Sequence, residues 1–308
     1  MRYAFIQELT KLAAKNKNII LLTADLGFTV FEEFAKKFPK QFFNVGIAEP
    51  NMIGIASGLA LSGKIVFAYS IASFASFRTY EHIRNDVCLH KAPVIIVGSG
   101  AGLSYADNGP THLATQDLAL MRGLPNMTVL APADPVEAQW ATREAARLKS
   151  PVYLRLGKKG EPVIYDKTPK LKIGQGNWIK RGSNFVILAC GNIVFNALKS
   201  AENLEKKGLS GAVISLHTVK PIDKKLIVQL AKNYSHIVTV EEHSVVGGLG
   251  SAVSEIIAQI PAKKPEFLIS GIKDDFPKKL GSQEYLRKIY GLTPEKLSLR
   301  IAKFLKKS

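Results

Sequence analysis

One carboxylate stands in an apolar stretch in the first part of the chain. Glu49 is followed at helical spacing by a run of Gly, Ala, Ile and Met residues that ends at Ala60. A carboxylate that water cannot reach needs a partner that takes up or shares its proton. Glu49 is therefore a candidate for proton-transfer chemistry. The alternative is an ordinary acidic residue at the N-terminus of a helix, where the helix dipole stabilises it.

Three aromatic residues follow at a regular spacing. Phe74, Phe77 and Tyr80 occupy positions i, i+3 and i+6, so two or three of them would face one side of a helix. A stripe of this kind is more often part of a helix core than of a binding surface. The spacing alone assigns these rings no function.

The glycine-rich segments do not form a complete nucleotide-binding motif. The sequence contains neither a P-loop nor a full GxGxxG with a following acidic residue. Backbone amides in the cluster Gly247–Gly250, ahead of a helix predicted over 251–260, could bind an anion. Close packing of that helix on the sheet accounts for the glycines at least as well.

Apolar runs that alternate with amphipathic stretches must position these residues. The alternation predicts βαβ units and hence the α/β class, with two open, mostly parallel sheets flanked by helices. The predicted strands cover residues 18–25, 64–70, 93–99, 127–133, 152–156, 184–191, 211–218, 236–242 and 267–270. Ligands of such sheets bind at the carboxyl ends of the strands, where the candidate residues are expected.

The length of the chain predicts two domains. It has 308 residues, about twice the usual size of one domain. A segment rich in Lys, Gly and Pro without a sustained period places a linker at 166–180, between domains over 1–165 and 181–308. Asp134 and Pro135 mark the start of one helix. Residues 294–307 are predicted to form an amphipathic C-terminal helix.

The composition excludes several classes of protein and leaves the charge unexplained. With 46% hydrophobic and 22% charged residues, the chain is neither disordered nor a disulfide-stapled miniprotein. The formal charge of +17 suits nucleic acid, an anionic membrane, phosphorylated substrates or an acidic partner chain. Cys88 and Cys190 lack metal-ligand spacing, so they are predicted to be buried thiols, and no metal site is predicted. No signal peptide or membrane span is recognised, and a cytoplasmic location is expected.

Three segments together resemble one enzyme family. The stretch around Glu49 resembles the pyrimidine-binding signature of transketolases and 1-deoxyxylulose-5-phosphate synthases, which use thiamine diphosphate. Residues 73–87, SFASFRTYEHIRNDV, are similar to the aromatic segment that grips the pyrimidine ring of that cofactor. Residues 107–112, DNGPTH, are similar to the substrate-facing DGPTH loop. The resemblance continues in order through APAD at 131–134, VKPID at 219–223 and EEHSVVGGLG at 241–250.

This resemblance implies cofactor-binding roles for five residues. Glu49 would hydrogen-bond N1′ of the aminopyrimidine and so favour the imino form that removes the thiazolium C2 proton. Phe77 would stack on the pyrimidine, and Phe74 and Tyr80 would line its pocket. Asp25, at the end of a predicted strand, would lie near the cofactor. Helix capping is the alternative for Asp25.

The resemblance also implies a substrate site. His112 would contact the donor sugar near its carbonyl and C1 hydroxyl, where it would stabilise an alkoxide or move a proton. Lys158, or less favourably Arg155, would bind a sugar phosphate. A surface lysine at a strand end is an equal alternative for Lys158. Asn108 stands where the family has an aspartate, and Asp107 one residue earlier could substitute for it.

The sequence departs from the family pattern at further positions that contact the donor sugar, and it lacks the motif of the diphosphate-binding domain. Gly100 stands where transketolases have a histidine, and Pro50 where relatives commonly have Gln. Since the positions of Gly100 and Asn108 read donor hydroxyls or phosphate, an unusual donor sugar is one expectation. The GDG motif, which holds Mg²⁺ and the diphosphate in the family, is absent from the sequence. The chain is therefore identified as the C-terminal subunit of a split transketolase.

That identification implies a partner. An N-terminal subunit with the diphosphate-binding domain would supply the Mg²⁺ site, in an α2β2 assembly with thiamine diphosphate at a subunit interface. Only the complex would transfer a two-carbon ketol unit from a ketose or ketose-phosphate donor to an aldose acceptor. Neither nucleic acid nor a membrane is expected as a partner.

Three other functions stay open as alternatives. They are a β subunit of a 2-oxoacid dehydrogenase, half of a 1-deoxyxylulose-5-phosphate synthase, and a basic nucleic-acid-binding protein. The DNGPTH loop and the segment 73–87 favour a transketolase over the dehydrogenase. The scattered lysines, without an RRM, KH or helix-turn-helix pattern, argue against nucleic acid.

Overall fold

The computed structural model describes residues 1–261 and 263–306. These residues form two open β-sheets that are covered by helices. The strands are β1 (Ile19–Thr23), β2 (Phe42–Asn44), β3 (Ile65–Ile71), β4 (Val94–Ser99), β5 (Thr128–Leu130), β6 (Val152–Leu156), β7 (Asn177–Lys180), β8 (Phe185–Cys190), β9 (Gly211–Ser215), β10 (Thr218–Lys220), β11 (His236–Ser244) and β12 (Glu266–Ile272). Every predicted strand overlaps one of these, and the predicted α/β class is confirmed.

The helices cover both faces of the sheets. They are α1 (Arg2–Lys15), α2 (Glu32–Lys37), α3 (Glu49–Leu61), α4 (Tyr80–His82), α5 (Asp117–Gly123), α6 (Pro135–Arg147), α7 (Val194–Glu205), α8 (Lys224–Asn233), α9 (Leu249–Ala258), α10 (Gln283–Tyr290) and α11 (Pro294–Leu305). The predicted cap is confirmed, because the Asp134 side chain accepts a hydrogen bond from the Glu137 amide. Lys307, at the end of the predicted C-terminal helix, lies outside the described residues.

The strand order shows that the two halves of the chain interlock. Within the described residues, the first sheet has the order β10-β5-β6-β4-β3-β1-β2 and the second β12-β11-β8-β9-β7. Strand β10, from the second half, pairs antiparallel with β5 of the first sheet. Strand β7, inside the predicted linker, pairs antiparallel with β9. The remaining pairings are parallel, so the carboxyl ends of β1, β2, β3, β4 and β6 meet at one edge.

The segment with the three aromatic residues is wound more widely than an α-helix. Phe74–Arg78 and Ile83–Leu89 are π-helical turns on either side of the short helix α4. A π turn closes hydrogen bonds from residue i to i+5, and such turns occur frequently at functional sites. Residues at i, i+3 and i+6 therefore need not share one face, which the prediction from α-helical spacing had assumed.

Both cysteines are buried free thiols, as predicted. Burial raises the pKa of the Cys88 thiol to about 11, which makes it unreactive at neutral pH.

In the part of the chain that the structure describes, no helix is both long and apolar enough to span a bilayer. The same residues contain no group of three or more His, Cys, Asp or Glu side chains that could hold a metal ion.

One carboxylate ties α6 to the segment that connects the two sheets. Glu137 is fully buried and accepts hydrogen bonds from the Ala133 amide at 2.6 Å and from the Tyr165 hydroxyl. Asn177 of β7 donates to the Tyr165 oxygen at 2.9 Å. Burial raises the pKa of Glu137 to about 7, against the opposing effect of these hydrogen bonds.

The raised pKa of Glu137 predicts that stability falls as the pH rises. The folded chain holds this proton at a pH where the unfolded chain has lost it, so the contribution is complete below the unfolded pKa of 4.5 and is lost as the pH passes about 7. We expect this group to lower the free energy of unfolding by about 2 kcal/mol between pH 5 and pH 8. Urea titrations of wild type and Glu137→Gln at both pH values check this. A difference between the two proteins that stays constant with pH would contradict it.

Candidate active site

The candidate residues lie at the edge where the parallel strands of the first sheet end. Asp25 follows β1, Glu49 follows β2, and the aromatic segment follows β3. The loop with His112 follows β4, and Lys158 follows β6. This is the edge at which doubly wound sheets bind ligands. The topology thus brings together residues that are far apart in the sequence.

Glu49 is a buried carboxylate with weak contacts. It is the first residue of α3, where the helix dipole favours a negative charge, and only 2% of its surface is exposed. Among the described residues, the Ser70 hydroxyl donates to Oε1 at 3.4 Å and Arg78 Nη1 donates to Oε2 at 3.4 Å. Charge-assisted hydrogen bonds are usually about 2.7–2.9 Å long. The carboxylate therefore retains the capacity to bind a further, closer donor.

Arg78 and Phe74 connect Glu49 with His112. The guanidinium of Arg78 lies 4.2 Å from the centre of the Phe74 ring, within the range of a cation–π interaction. The Phe74 ring meets the His112 imidazole edge-on, with ring centres 5.1 Å apart. The predicted proton-transfer residue and the predicted substrate residue thus belong to one cluster.

A second group of contacts extends from His112 towards β6. The Tyr105 ring lies 6.4 Å from the His112 ring, and Lys158 Nζ lies 4.1 Å from the centre of the Tyr105 ring. Lys158 Nζ is also 3.8 Å from the Asp107 carboxylate. Asp107 and Asn108 are both exposed in the loop. Lys158 and Asp107 therefore place charges of opposite sign at the rim of the cluster.

Tyr105 occupies the space beside Gly100. Gly100 has a φ of +73°, and a Cβ atom added there would lie 1.9 Å from the Tyr105 ring. A side chain at position 100 would be strained at this φ and would require the Tyr105 ring to move. Sequence reasoning missed Tyr105, which stands in no motif. It gave no role to Arg78, because the segment 73–87 does not reveal that this side chain reaches Glu49.

Asp25 is held by a neighbouring strand. The Asp25 amide donates to Asn44 Oδ1 and Asn44 Nδ2 donates to Asp25 Oδ1, both at 2.9 Å. The next helix, α2, begins only at Glu32, so helix capping does not explain this carboxylate. Asp25 lies at the edge of the sheet that carries the other candidate residues, where β1 and β2 end.

The three aromatic residues have three different environments. Phe74 is half-buried against His112, whereas Phe77 is 37% exposed. Tyr80 packs against the apolar core, and its hydroxyl faces Gly123 at the end of α5. The structure places Phe74 in the cluster with Glu49 and His112 and leaves Phe77 open to solvent. Tyr80 points towards the interior.

Arg155 does not reach the candidate site. Only 2% of it is exposed, and its guanidinium binds the Asp117 carboxylate through Nε at 2.8 Å and Nη2 at 3.1 Å. Nη2 also donates to the carbonyl oxygens of Ala114 and Glu242, each at 3.1 Å. These contacts turn the Arg155 side chain towards the junction of the two sheets. Of the two candidate phosphate ligands, Arg155 and Lys158, only Lys158 lies at the rim of the cluster that contains His112.

The glycine cluster near residue 248 binds an anion that belongs to the chain itself. The amides of Leu249 and Gly250, at the start of α9, donate to the Glu241 carboxylate at 2.7 and 2.8 Å. A Cβ atom on Gly248 would lie 2.0 Å from Glu241 Oε2. Burial raises the pKa of Glu241 to about 7. Close packing accounts for Gly248, and the amides of Leu249 and Gly250 are occupied by Glu241.

Both halves of the chain match described domain families. Residues 1–161 match the transketolase pyrimidine binding domain, and residues 174–297 match the transketolase C-terminal domain. The chain belongs to the transketolase family. Its two domains stand in the order predicted from the sequence, and the predicted likeness to the C-terminal part of a transketolase is confirmed.

Transketolase relatives match the chain over its full length. A protein of Methanocaldococcus jannaschii, provisionally named a transketolase C-terminal section, is 41% identical over 100% of this chain and 96% of its own length. The 6-deoxy-6-sulfo-D-fructose transketolase subunit SqwH of a Clostridium species is 34% identical over 96% of this chain and 92% of its own. A solved structure, described as a split gene transketolase in an inactive beta4 tetramer, has 39% identity and a TM-score of 0.90, with 99% of this chain and 98% of that chain covered.

The family implies thiamine diphosphate, and the first domain offers a fitting site for its pyrimidine ring. The Glu49 carboxylate has free acceptor capacity, and the exposed Phe77 ring belongs to the adjoining π-helical segment. A ring nitrogen of an aminopyrimidine is itself an acceptor, so it pairs with such a carboxylate when the two share one proton. The described residues that surround Glu49 therefore suit the aminopyrimidine of this cofactor.

Proposed function

We propose that this chain is the C-terminal subunit of a thiamine-diphosphate-dependent transketolase, which transfers a two-carbon ketol unit from a ketose or ketose-phosphate donor to an aldose acceptor. One observation carries the proposal. The buried Glu49 carboxylate, with two 3.4 Å contacts, lies in the same cluster as His112. A proton-sharing acid and an imidazole in one cluster suit the formation and cleavage of a carbon–carbon bond next to a hydroxyl group.

The residues around Glu49 would hold the cofactor. Thiamine diphosphate, when bound, supplies the nucleophilic carbon of the reaction. Glu49 would share a proton with the aminopyrimidine and fix its orientation, and Phe77 would stack on the ring. Phe74 would hold one wall of the pocket and Tyr80 would support it from the core. Asp25, fixed by Asn44, would face the cofactor from the end of β1.

The loop after β4 would bind the sugar. His112 would donate a hydrogen bond to the donor oxygen on which negative charge develops. Asp107 and Asn108 would bind hydroxyl groups of the donor, and Lys158 would bind a phosphate or another anionic group at its far end. Tyr105 fills the space at position 100, which supports a donor that differs from the usual one.

The diphosphate site would come from a partner. We propose an N-terminal transketolase subunit that binds Mg²⁺ and the diphosphate, in an α2β2 complex. Exposed apolar residues before and along α3 support a covered surface here: Ile47 is 78% exposed, and Ile55 and Leu61 are exposed on α3. The net charge of +17 suits an acidic partner and phosphorylated sugars. We also propose a cytoplasmic location for the protein. For the chain itself we propose two domains, which cover residues 1–165 and 181–308.

The test compares ketose–aldose turnover by this chain with and without an N-terminal transketolase subunit. We expect activity only from the mixture, and only with thiamine diphosphate and Mg²⁺. Full activity of the chain alone would contradict the split enzyme. Decarboxylation of pyruvate without ketose cleavage would favour a 2-oxoacid dehydrogenase. Condensation of pyruvate with glyceraldehyde 3-phosphate would favour a 1-deoxyxylulose-5-phosphate synthase.

A further inference from the structure

The loop that carries Asp107, Asn108 and His112 is closed at its base. Gly102 and Ala114 exchange two backbone hydrogen bonds of 3.0 and 3.2 Å, which form an isolated antiparallel bridge. Residues 102–114, here called the sugar loop, therefore leave and re-enter the fold at one point. The position of the whole loop depends on what holds this base.

The sugar loop packs into the second domain, although it belongs to the sequence of the first. Leu103, Ala106 and Leu113 are buried in the apolar cluster of β8, α7, α10 and α11. The amide of Gly281, just before α10, donates to the Ala106 carbonyl at 3.3 Å. The apolar side of the loop is thus part of the second domain's core, and its polar residues remain outside.

Glu242 of β11 fixes the base of the loop. Its side chain is fully buried, and Oε1 accepts a hydrogen bond from the Leu103 amide at 2.8 Å. A Cβ atom on Gly102 would lie 2.5 Å from Glu242 Oε1 and 2.7 Å from its carbonyl oxygen. The loop backbone therefore rests directly on this glutamate, and only glycine fits at that point.

Two residues of α10 hold the Glu242 carboxylate in place. Gln283 Nε2 donates to Glu242 Oε1 at 2.8 Å and to the Ser104 hydroxyl of the sugar loop at 3.3 Å. Arg287 Nε donates to Glu242 Oε2. From the opposite side, Arg155 binds both the Ala114 carbonyl and the Glu242 carbonyl. Both strands of the loop base are thus bound to β11.

We propose that Glu242 is a positioning residue, through which the second domain sets the geometry of the sugar loop and hence the affinity for the donor. The effect on the affinity for the donor rests on the proposed function. The effect of Glu242 on the geometry of the sugar loop rests on the hydrogen bonds described above and does not depend on that function. The second domain would then contribute to substrate binding through the sugar loop, because the loop holding His112 is built on its core.

Amide hydrogen exchange of the isolated chain tests the loop without any activity. In Glu242→Gln, the new amide cannot accept from both Leu103 and Arg287, so we expect peptides covering 102–114 to exchange at least about tenfold faster. Peptides covering β1 and β3 should be unchanged. Glu284→Gln is the matched control, because this exposed residue of α10 lies 3.8 Å from Arg287 and does not contact the loop. Unchanged exchange in the loop, or an equal rise in every peptide, would overturn the proposal.

Kinetics of the complex with the N-terminal subunit test the consequence for the donor. For Glu242→Gln we expect KM for the donor ketose to rise about tenfold, because the loop with Asp107 and Asn108 is displaced, and kcat to fall as well, because His112 lies on the same loop. A fall in kcat at unchanged KM would overturn the proposed effect on affinity. If Glu242→Gln does not fold, the same measurement is made on Gln283→Ala, for which we expect a smaller increase in the amide exchange rate of peptides covering 102–114. No increase in that rate would overturn the proposal. Faster loop exchange in a chain whose wild type has no transketolase activity would remove the proposed function and leave the loop contacts standing.

Discussion

The Glu49→Gln variant is expected to lose ketol transfer by a factor of at least about 100, at unchanged folding stability. Glutamine has the shape of glutamate, and its one oxygen can still accept from either Ser70 or Arg78, but it cannot share a proton with a bound pyrimidine. Because the native contacts of the carboxylate are 3.4 Å long, little stability depends on them. The measurement is kcat/KM of the complex with the N-terminal subunit at saturating thiamine diphosphate.

Glu8→Gln is a matched control for this experiment. Glu8 is also a buried glutamate of the first domain, and it pairs with Arg143 at 2.7 Å. It lies on α1, away from the edge with the candidate site, so its substitution is expected to leave kcat/KM within about threefold. A Glu49→Gln enzyme with activity similar to that of Glu8→Gln would contradict the role proposed for Glu49.

The strands that could be predicted from the sequence are those with a continuous apolar run. Strands β4, β6 and β8 are buried on both faces, so their composition alone identifies them. Strands β2 and β10 have three residues each, and β2 is largely exposed, so neither leaves a comparable pattern. The crossing of β10 into the first sheet depends on contacts between distant segments, which periodicity does not record.

The candidate site shows the same division between local and distant information. Glu49 is recognisable because a carboxylate in an apolar helix is chemically unusual. Tyr105 is not recognisable from the sequence, because its importance comes from its ring filling the space beside Gly100, which has no side chain. The family resemblance predicts Arg155 as a possible phosphate ligand, but its buried partner Asp117 lies on another element. Local spacing cannot predict such a partner.

Asp117→Asn is expected to destabilise the chain by about 3–5 kcal/mol, because it leaves the buried Arg155 guanidinium without a counter-charge. Asp117 is fully buried and accepts hydrogen bonds from Arg155 and from the Tyr153 hydroxyl at 2.7 Å. Asparagine can still accept from Tyr153 through its one oxygen, so the loss comes from the charge and from the hydrogen bond of Arg155 Nη2. The measurement is the free energy of unfolding in urea. A loss below about 1 kcal/mol, as for an exposed pair, would contradict the role of this ion pair.

The double variant Asp117→Asn/Arg155→Met should be more stable than Asp117→Asn alone, because no uncompensated charge remains buried. Arg155 binds Ala114 in the first domain and Glu242 in the second, so the single substitution should lower the stability of both. Trp140 in α6 and Trp178 in β7 report on the two sheets separately, when each is kept as the sole tryptophan. If Asp117→Asn moves the Trp140 transition and leaves the Trp178 transition in place, the two domains unfold independently. If both transitions move together, the buried charge pair couples the domain with Glu49 to the domain that supports the sugar loop.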